Sequence, residues 1–173
     1  MSTEKKNRFE SLMDEHRKIV YKICTSYCPD AGSREDLAQE IVTELWRSFG
    51  TFDDRGAFST WMYRVALNVA ISFNRREATR ARHVVLGDEH LLVIADDAGE
   101  PEELLLLRGF IDGLDPLNKG LILLFLDGYS YREIAGVLGI SETNVATKLG
   151  RLKAAMKLQF SGNSGGVSLK GGS

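Results

Sequence analysis

Trp61, Arg64, Asn68, Ser72 and Arg75 recur at intervals of three or four residues along STWMYRVALNVAISFNRR. At 100° per residue they share an arc of about 80° on one helical face. An aromatic ring can stack on a base, guanidinium groups can hold phosphates, and an amide can pair with a base edge. That combination suits single-stranded nucleic acid. Phe52 and Phe58, in the preceding loop SFGTFDDRGAFS, add two rings, and Arg76 adds a further cation. A second set lies in ISETNVATKLGRLK. There Val145, Leu149, Leu152 and Met156 fall on one arc and face a core, while Asn144, Thr147, Lys148 and Arg151 fall on another. Asn pairs with adenine, Arg with guanine, and Lys or Thr with phosphate or base edges. Each set also has a plainer reading. Trp61 could be a core or capping ring, and the polar residues could be ordinary solvated faces.

The chain that carries these sets is slightly acidic, with 22 Lys+Arg against 24 Asp+Glu. The charge is banded. Residues 30–54 hold seven acids and two arginines, 61–83 five arginines and one acid, 87–115 nine acids and one arginine, and 141–158 four basic residues and one acid. Two positive surfaces separated by a negative strap are therefore expected. A lone helix with a few phosphate contacts binds DNA only at about 10⁻⁴–10⁻⁶ M without specificity. Something else must supply affinity.

The elements that position these residues read as helices. Phe9, Leu12, Met13, Ile19, Val20, Ile23, Cys24 and Tyr27 recur at helical spacing until CPDAG interrupts them. Ser33 is a candidate cap for a second helix with the stripe Leu37, Ile41, Val42, Leu45 and Trp46. A third, over 59–76, would be buried through Met62, Val65, Ala66, Val69, Ala70 and Phe73. Periodicity fades over 77–99, where an extended acidic linker is expected and a short strand at 84–86 is conceivable. Helical patterns return at 101–113, 116–126, 130–138 and 141–160. Ser130 and Glu133 have the spacing of a capping box, and LGI makes the tight turn of a helix-turn-helix. The expected fold class is all-α: an N-terminal domain of three or four helices (1–78), an acidic flexible linker (79–101), a helix-turn-helix domain (102–160) and a disordered Gly/Ser-rich tail (161–173).

Several function classes are disfavoured. No apolar run approaches the roughly 20 residues of a membrane span, and MSTEKKNRFESL has no apolar stretch of a secretory signal. The cytoplasm is the expected compartment. Cys24 and Cys28 lack the partners of a zinc site and read as small core residues, with redox sensing a minor alternative. No nucleophile–base pair, metal cluster or glycine-rich phosphate loop supports an enzyme, so no catalytic residue, metal, cofactor or small-molecule substrate is expected.

The pattern EDLAQE…LWR…F-x5-F-x-TWMYRVALNVA…RR, followed by the helix-turn-helix, resembles the extracytoplasmic-function (group IV) sigma factors of the sigma-70 family. The resemblance covers roughly 9–76 and 102–159, and the paired motifs in this order are specific. It implies a two-domain promoter-specificity subunit. Asp36, Gln39, Glu40 and Trp46 would dock on the polymerase clamp coiled-coil, with the acidic band meeting basic polymerase residues. Phe52, Phe58, Trp61 and Asn68 would read the −10 element, one base being flipped from the non-template strand. Arg64, Arg75 and Arg76 would hold nearby phosphates. Asn144, Thr147, Lys148 and Arg151 would read the −35 element in the duplex major groove. The acidic connector over 87–103 would pass near the polymerase active centre and the RNA exit path. Implied partners are core RNA polymerase (clamp and flap), promoter DNA and an anti-sigma factor. Two positions depart from the family pattern: Arg55-Gly56 stands two residues later than usual, and Ala146 replaces a common Lys. The rival reading is a stand-alone helix-turn-helix regulator binding duplex DNA, which leaves the acidic second helix unexplained.

Overall fold

The computed structural model describes residues 3–83, 99 and 101–163. Seven α-helices and one 3₁₀ turn make up the regular structure of these residues: α1 Thr3–Tyr27, α2 Ala31–Ser48, the turn Phe49–Thr51, α3 Phe58–His83, α4 Glu102–Asp112, α5 Pro116–Leu126, α6 Tyr131–Leu138 and α7 Glu142–Asn163. The readings for 84–86 and for most of 87–103 lie outside the described residues, as do 164–173.

Helices α1, α2 and α3 pack around one core. Ile23, Leu37, Ile41, Leu45, Met62, Ala66 and Ala70 are fully buried in it. Each of the five larger side chains among them, the isoleucines, leucines and Met62, contributes about 1.5–3 kcal/mol of transfer free energy. α2 starts earlier than its serine suggests. Asp30 is the cap, and its carboxylate accepts the Ser33 N–H at 2.8 Å, so Ser33 sits inside the first turn. The acidic cap outcompetes the serine because a charged acceptor makes the stronger bond to an orphan N–H. Val42 is 40% exposed rather than buried. It lies 100° round the helix from Ile41, beyond the reach of the three-helix core.

α3 continues seven residues past Arg76, to His83, because the segment EATRARH contains no helix breaker. It also differs in which faces it buries. Val65 and Val69 are only partly buried, whereas Tyr63 and Leu67 are almost inaccessible. The reason is a second layer. α3 is covered on one side by α1 and α2 and on another by α5 and α6 of the C-terminal half.

α5 is the hinge of that second layer. Its N-terminus is capped by Asp115, which accepts the N–H groups of Leu117 and Asn118 at 3.1 Å, and Pro116 occupies the first turn without losing a hydrogen bond. Lys119 to Leu124 are consecutively buried, which a helix achieves only when covered on both faces. Gly120 permits the closest approach: a Cβ there would lie 3.1 Å from the Tyr27 hydroxyl and 3.4 Å from Leu67.

The helix-turn-helix follows the local chemistry expected of it. Ser130 and Glu133 form the capping box that starts α6. Gly139 ends α6 at φ +69°, a left-handed cap that glycine adopts without strain. The Ser141 hydroxyl then accepts the Asn144 N–H at 3.1 Å at the start of α7. α7 runs on to Asn163, three residues into the segment expected to be disordered.

Candidate nucleic-acid interface

Four rings cluster where the loop over 52–57 meets α3. Phe52 lies 5.3 Å from Phe58 and 5.5 Å from Trp61, Phe58 and Trp61 are 5.3 Å apart, and Phe49 joins them from below. Such offset and edge-on pairs fix ring planes against one another. The burial pattern divides the labour. Phe58 and Phe49 belong to the core, whereas Phe52 and Trp61 are half-buried and present ring surface outward. Phe9 of α1 supports Phe49 at 5.1 Å and Trp46 at 5.0 Å. Trp46 is therefore partly a packing residue.

The loop itself is held in place from two sides. The Asp53 carboxylate accepts the Arg55 N–H at 3.2 Å, and Asp54 adopts φ +59°. Aspartate tolerates this left-handed conformation better than most residues. The Asp54 carboxylate accepts a hydrogen bond from the Arg8 guanidinium on α1, and this partner holds its pKa below the ordinary carboxylate value. Arg8 was not among the sequence candidates. It lies 46 residues from Asp54, and no local pattern connects the two.

Beyond Trp61, the exposed face of α3 carries Arg64, Asn68, Ser72, Arg75 and Arg76. The side chains that the sequence separates into a DNA face and an acidic docking face meet in one place. Asp36, Gln39 and Glu40 of α2 form one wall of an open groove of roughly 1110 Å³, and Asn68, Ser72 and Arg76 of α3 form the other. Glu40 and Arg76 close an ion pair of 2.6 Å between these walls. The groove thus offers carboxylates to a basic partner beside an amide and a guanidinium that suit bases and phosphates.

In the C-terminal half, Val145 and Leu149 are fully buried and Leu152 nearly so, which fixes the rotation of α7. Asn144, Thr147 and Arg151 are exposed and Lys148 is partly so, which gives α7 a polar outer face. Lys153, also basic and nearby, is turned elsewhere: its ammonium lies 4.4 Å from the Phe125 ring centroid and donates to the Tyr131 hydroxyl at 3.4 Å. That cation–π contact ties α7 back onto α5 and α6.

Cys24 and Cys28 are buried, and burial pushes each thiol up to about 11. They are protonated and unreactive at neutral pH. Among the described residues there is no group of three or more His, Cys, Asp or Glu placed to hold a metal, and no helix is long and apolar enough to cross a membrane.

Comparison with known proteins bears on both halves. The family model described as Sigma-70 region 2 matches residues 12–80, and that described as Sigma-70, region 4 matches 104–156. The ECF RNA polymerase sigma factor SigX of Bacillus subtilis is 31% identical over 149 residues, covering 80% of this chain and 76% of the relative. SigW of the same organism, also an ECF RNA polymerase sigma factor, is 26% identical over 165 residues, with 88% of each chain covered. In fold, the chain is similar to the sigma factor RpoE of Bartonella quintana, solved with the anti-sigma factor NepR. The TM-score is 0.73 at 15% identity, over 89% of this chain and 97% of that one.

Proposed function

The chain belongs to the extracytoplasmic-function sigma factors of the sigma-70 family, and we propose that it reads a bipartite promoter through the two surfaces described above. As a sigma factor it binds core RNA polymerase, directs it to specific promoters and helps open the −10 region. Polymerase performs the chemistry, and the chain contributes no catalytic residue of its own. It acts in the cytoplasm, where polymerase is.

The observation that carries the assignment of surfaces is the shared groove between α2 and α3. Asp36, Gln39 and Glu40 on one wall dock on the basic clamp surface of polymerase. Trp61, Asn68 and the arginines beside them then receive the unpaired non-template strand. Phe52 and Trp61 stack bases at the mouth of the loop, Asn68 reads a base edge, and Arg64, Arg75 and Arg76 hold phosphates. Phe58 acts from beneath, as the ring on which Phe52 and Trp61 rest. Docking and strand capture on adjacent walls place the melted strand against polymerase as it opens.

Asn144, Thr147, Lys148 and Arg151 read the −35 duplex. Residues 1–78 and 102–160 are the two working domains in this reading. An anti-sigma factor is a further partner in this reading, since RpoE of Bartonella quintana, similar in fold, is solved in complex with the anti-sigma factor NepR.

The test is site-specific photocrosslinking from positions 61 and 68 in an assembled polymerase–promoter complex. Adducts with the non-template strand at the −10 element are expected. Adducts confined to duplex DNA upstream would reassign the α3 face.

A further inference from the structure

We propose that Arg8 on α1 is a positioning residue for strand reading: by holding Asp54, it fixes the loop over 52–57 in the shape that gives the chain its −10 base preference. The pin itself stands on geometry. Its effect on base preference rests on the assignment of that loop and of the α3 face to the non-template strand.

Residues 53–57 are all exposed and belong to no helix. Among the described residues, no backbone–backbone hydrogen bond reaches residues 53–56. The Asp53 carboxylate and Arg55 meet within the loop, through the Arg55 N–H at 3.2 Å and the guanidinium Nε at 3.4 Å. The hydrogen bond from the Arg8 guanidinium to the Asp54 carboxylate ties this stretch to α1, 46 residues away. The backbone agrees. Asp54 adopts φ +59°, whereas Gly56, which would take that conformation without strain, is not left-handed. A Cβ at Gly56 would meet nothing within 4 Å. The left-handed conformation thus falls on the residue whose carboxylate reaches Arg8, and such a backbone state persists where its surroundings hold it.

The α1 end of the pin is rigid. Phe9, next to Arg8, is buried and packs edge-on against Trp46 at 5.0 Å and Phe49 at 5.1 Å, which fixes the height and rotation of this turn of α1. Arg8, Lys5, Phe49, Gly50 and Phe52 are among the residues that line a recess of roughly 350 Å³ between α1 and the loop. Phe52 therefore borders open space on one side and the Phe58 and Trp61 rings on the other. A slack loop would let the Phe52 ring turn into the recess and away from Trp61, and the pin opposes that turn.

The Arg8 and Asp54 side chains are 51% and 54% exposed, so the pair shifts the loop population by about fivefold at most, and the three-helix core stands without it. Its effect is preorganisation: a loop already in its bound shape loses less entropy when a strand is captured. Bases are then stacked by rings at fixed positions, and those that fit less well are refused. A guanidinium that only held a phosphate would act differently, weakening every sequence alike when removed.

Two measurements on the full chain test the pin and its role. Trypsin cleavage after Arg55, followed by mass spectrometry, reads the loop in the free protein. Arg8→Ala should speed it by up to about fivefold, and Arg8→Lys, which keeps the charge, should stay near wild type. Cleavage unchanged by Arg8→Ala would overturn the pin. With core polymerase bound, affinities for single-stranded −10 oligonucleotides carrying each base in turn read the preference. Arg8→Ala and Asp54→Asn should each narrow the gap between best and worst base by about threefold to fivefold, while core affinity holds. The double variant should be no worse than either single one, because both remove the same contact. Unchanged preference, additive losses or an equal loss on every oligonucleotide would overturn the positioning role. A wild-type complex with no base preference would overturn the assignment of the loop, and the specificity role with it, while the cleavage rates still decide the pin.

Discussion

Glu40 on α2 accepts a hydrogen bond from Arg76 on α3 at 2.6 Å, so an acid assigned to polymerase and a cation assigned to DNA are partners in the free chain. Both side chains are about half exposed (45% and 53%), and an exposed pair of this kind contributes at most about 1 kcal/mol to stability. The contact is therefore readily exchanged. In the proposed reading, basic polymerase residues take Glu40 and release Arg76 to a phosphate, which would couple docking to strand capture across a single groove.

Glu40→Gln should leave the melting temperature within about 4 °C of wild type and weaken binding to core polymerase, with a shallower dependence on salt. Arg76→Gln should preserve core binding and weaken retention of the opened strand. Titration of labelled chain with core at two salt concentrations, alongside thermal denaturation, separates these effects. A large loss of melting temperature in either variant would make the pair a structural pin.

Asn68 is exposed on α3 and lies on the groove wall, so truncating it leaves the core intact. Asn68→Ala should change the relative use of −10 sequence variants while core affinity holds. Abortive transcription from a set of −10 substitutions reads this directly. Equal loss on every variant would move Asn68 from base reading to backbone support.

Arg151 projects from α7 on the face opposite the buried Val145 and Leu149 arc. If it pairs with a guanine, Arg151→Ala should weaken the −35 contribution by about 1–3 kcal/mol and relax specificity at one base pair. Competition between promoters differing only in the −35 element measures it. A uniform loss across sequences would make Arg151 a phosphate contact.

The Glu133 carboxylate accepts the Ser130 N–H at 2.8 Å and also its hydroxyl, which lowers its pKa below the ordinary glutamate value. A folded-state value below the unfolded one means that the unfolded chain binds more protons. The stabilisation is full above the ordinary glutamate range and is lost as pH falls through the lowered value. The stability difference between wild type and Glu133→Gln should accordingly shrink on acidification. Urea denaturation at several pH values checks the sign. Separately, Ser130→Ala should cost about 1 kcal/mol through loss of the cap.

Features whose physics is local were legible in the sequence. The Ser130–Glu133 box, the Gly139 turn and the rotation of α7 all depend on residues within one or two helical turns, and each is realised in the structure. The same holds for the aromatic and arginine face of α3. Local logic failed where two caps competed, since DAGS offers both Asp30 and Ser33 and the carboxylate takes the N–H. It failed more widely across the chain. Tyr63 and Leu67 are buried by helices more than 50 residues away, and the Lys22–Asp127 contact spans 105 positions. Periodicity along α3 and α5 carries no information about a cover so distant in the chain. The groove shared by α2 and α3 was likewise invisible, because the sequence keeps Glu40 and Arg76 36 residues apart.

The central claim is that α3 captures the −10 strand for polymerase while α7 reads the −35 duplex. Its most direct test is promoter opening by purified core polymerase, followed through a fluorescent base analogue in the −10 element. Opening should require core and chain together, be reduced strongly by Trp61→Ala with core binding retained, and be slowed by Arg151→Ala only when the −35 element is present. Undiminished opening by the Trp61→Ala chain, or failure of the wild-type chain to associate with core at low salt, would contradict it.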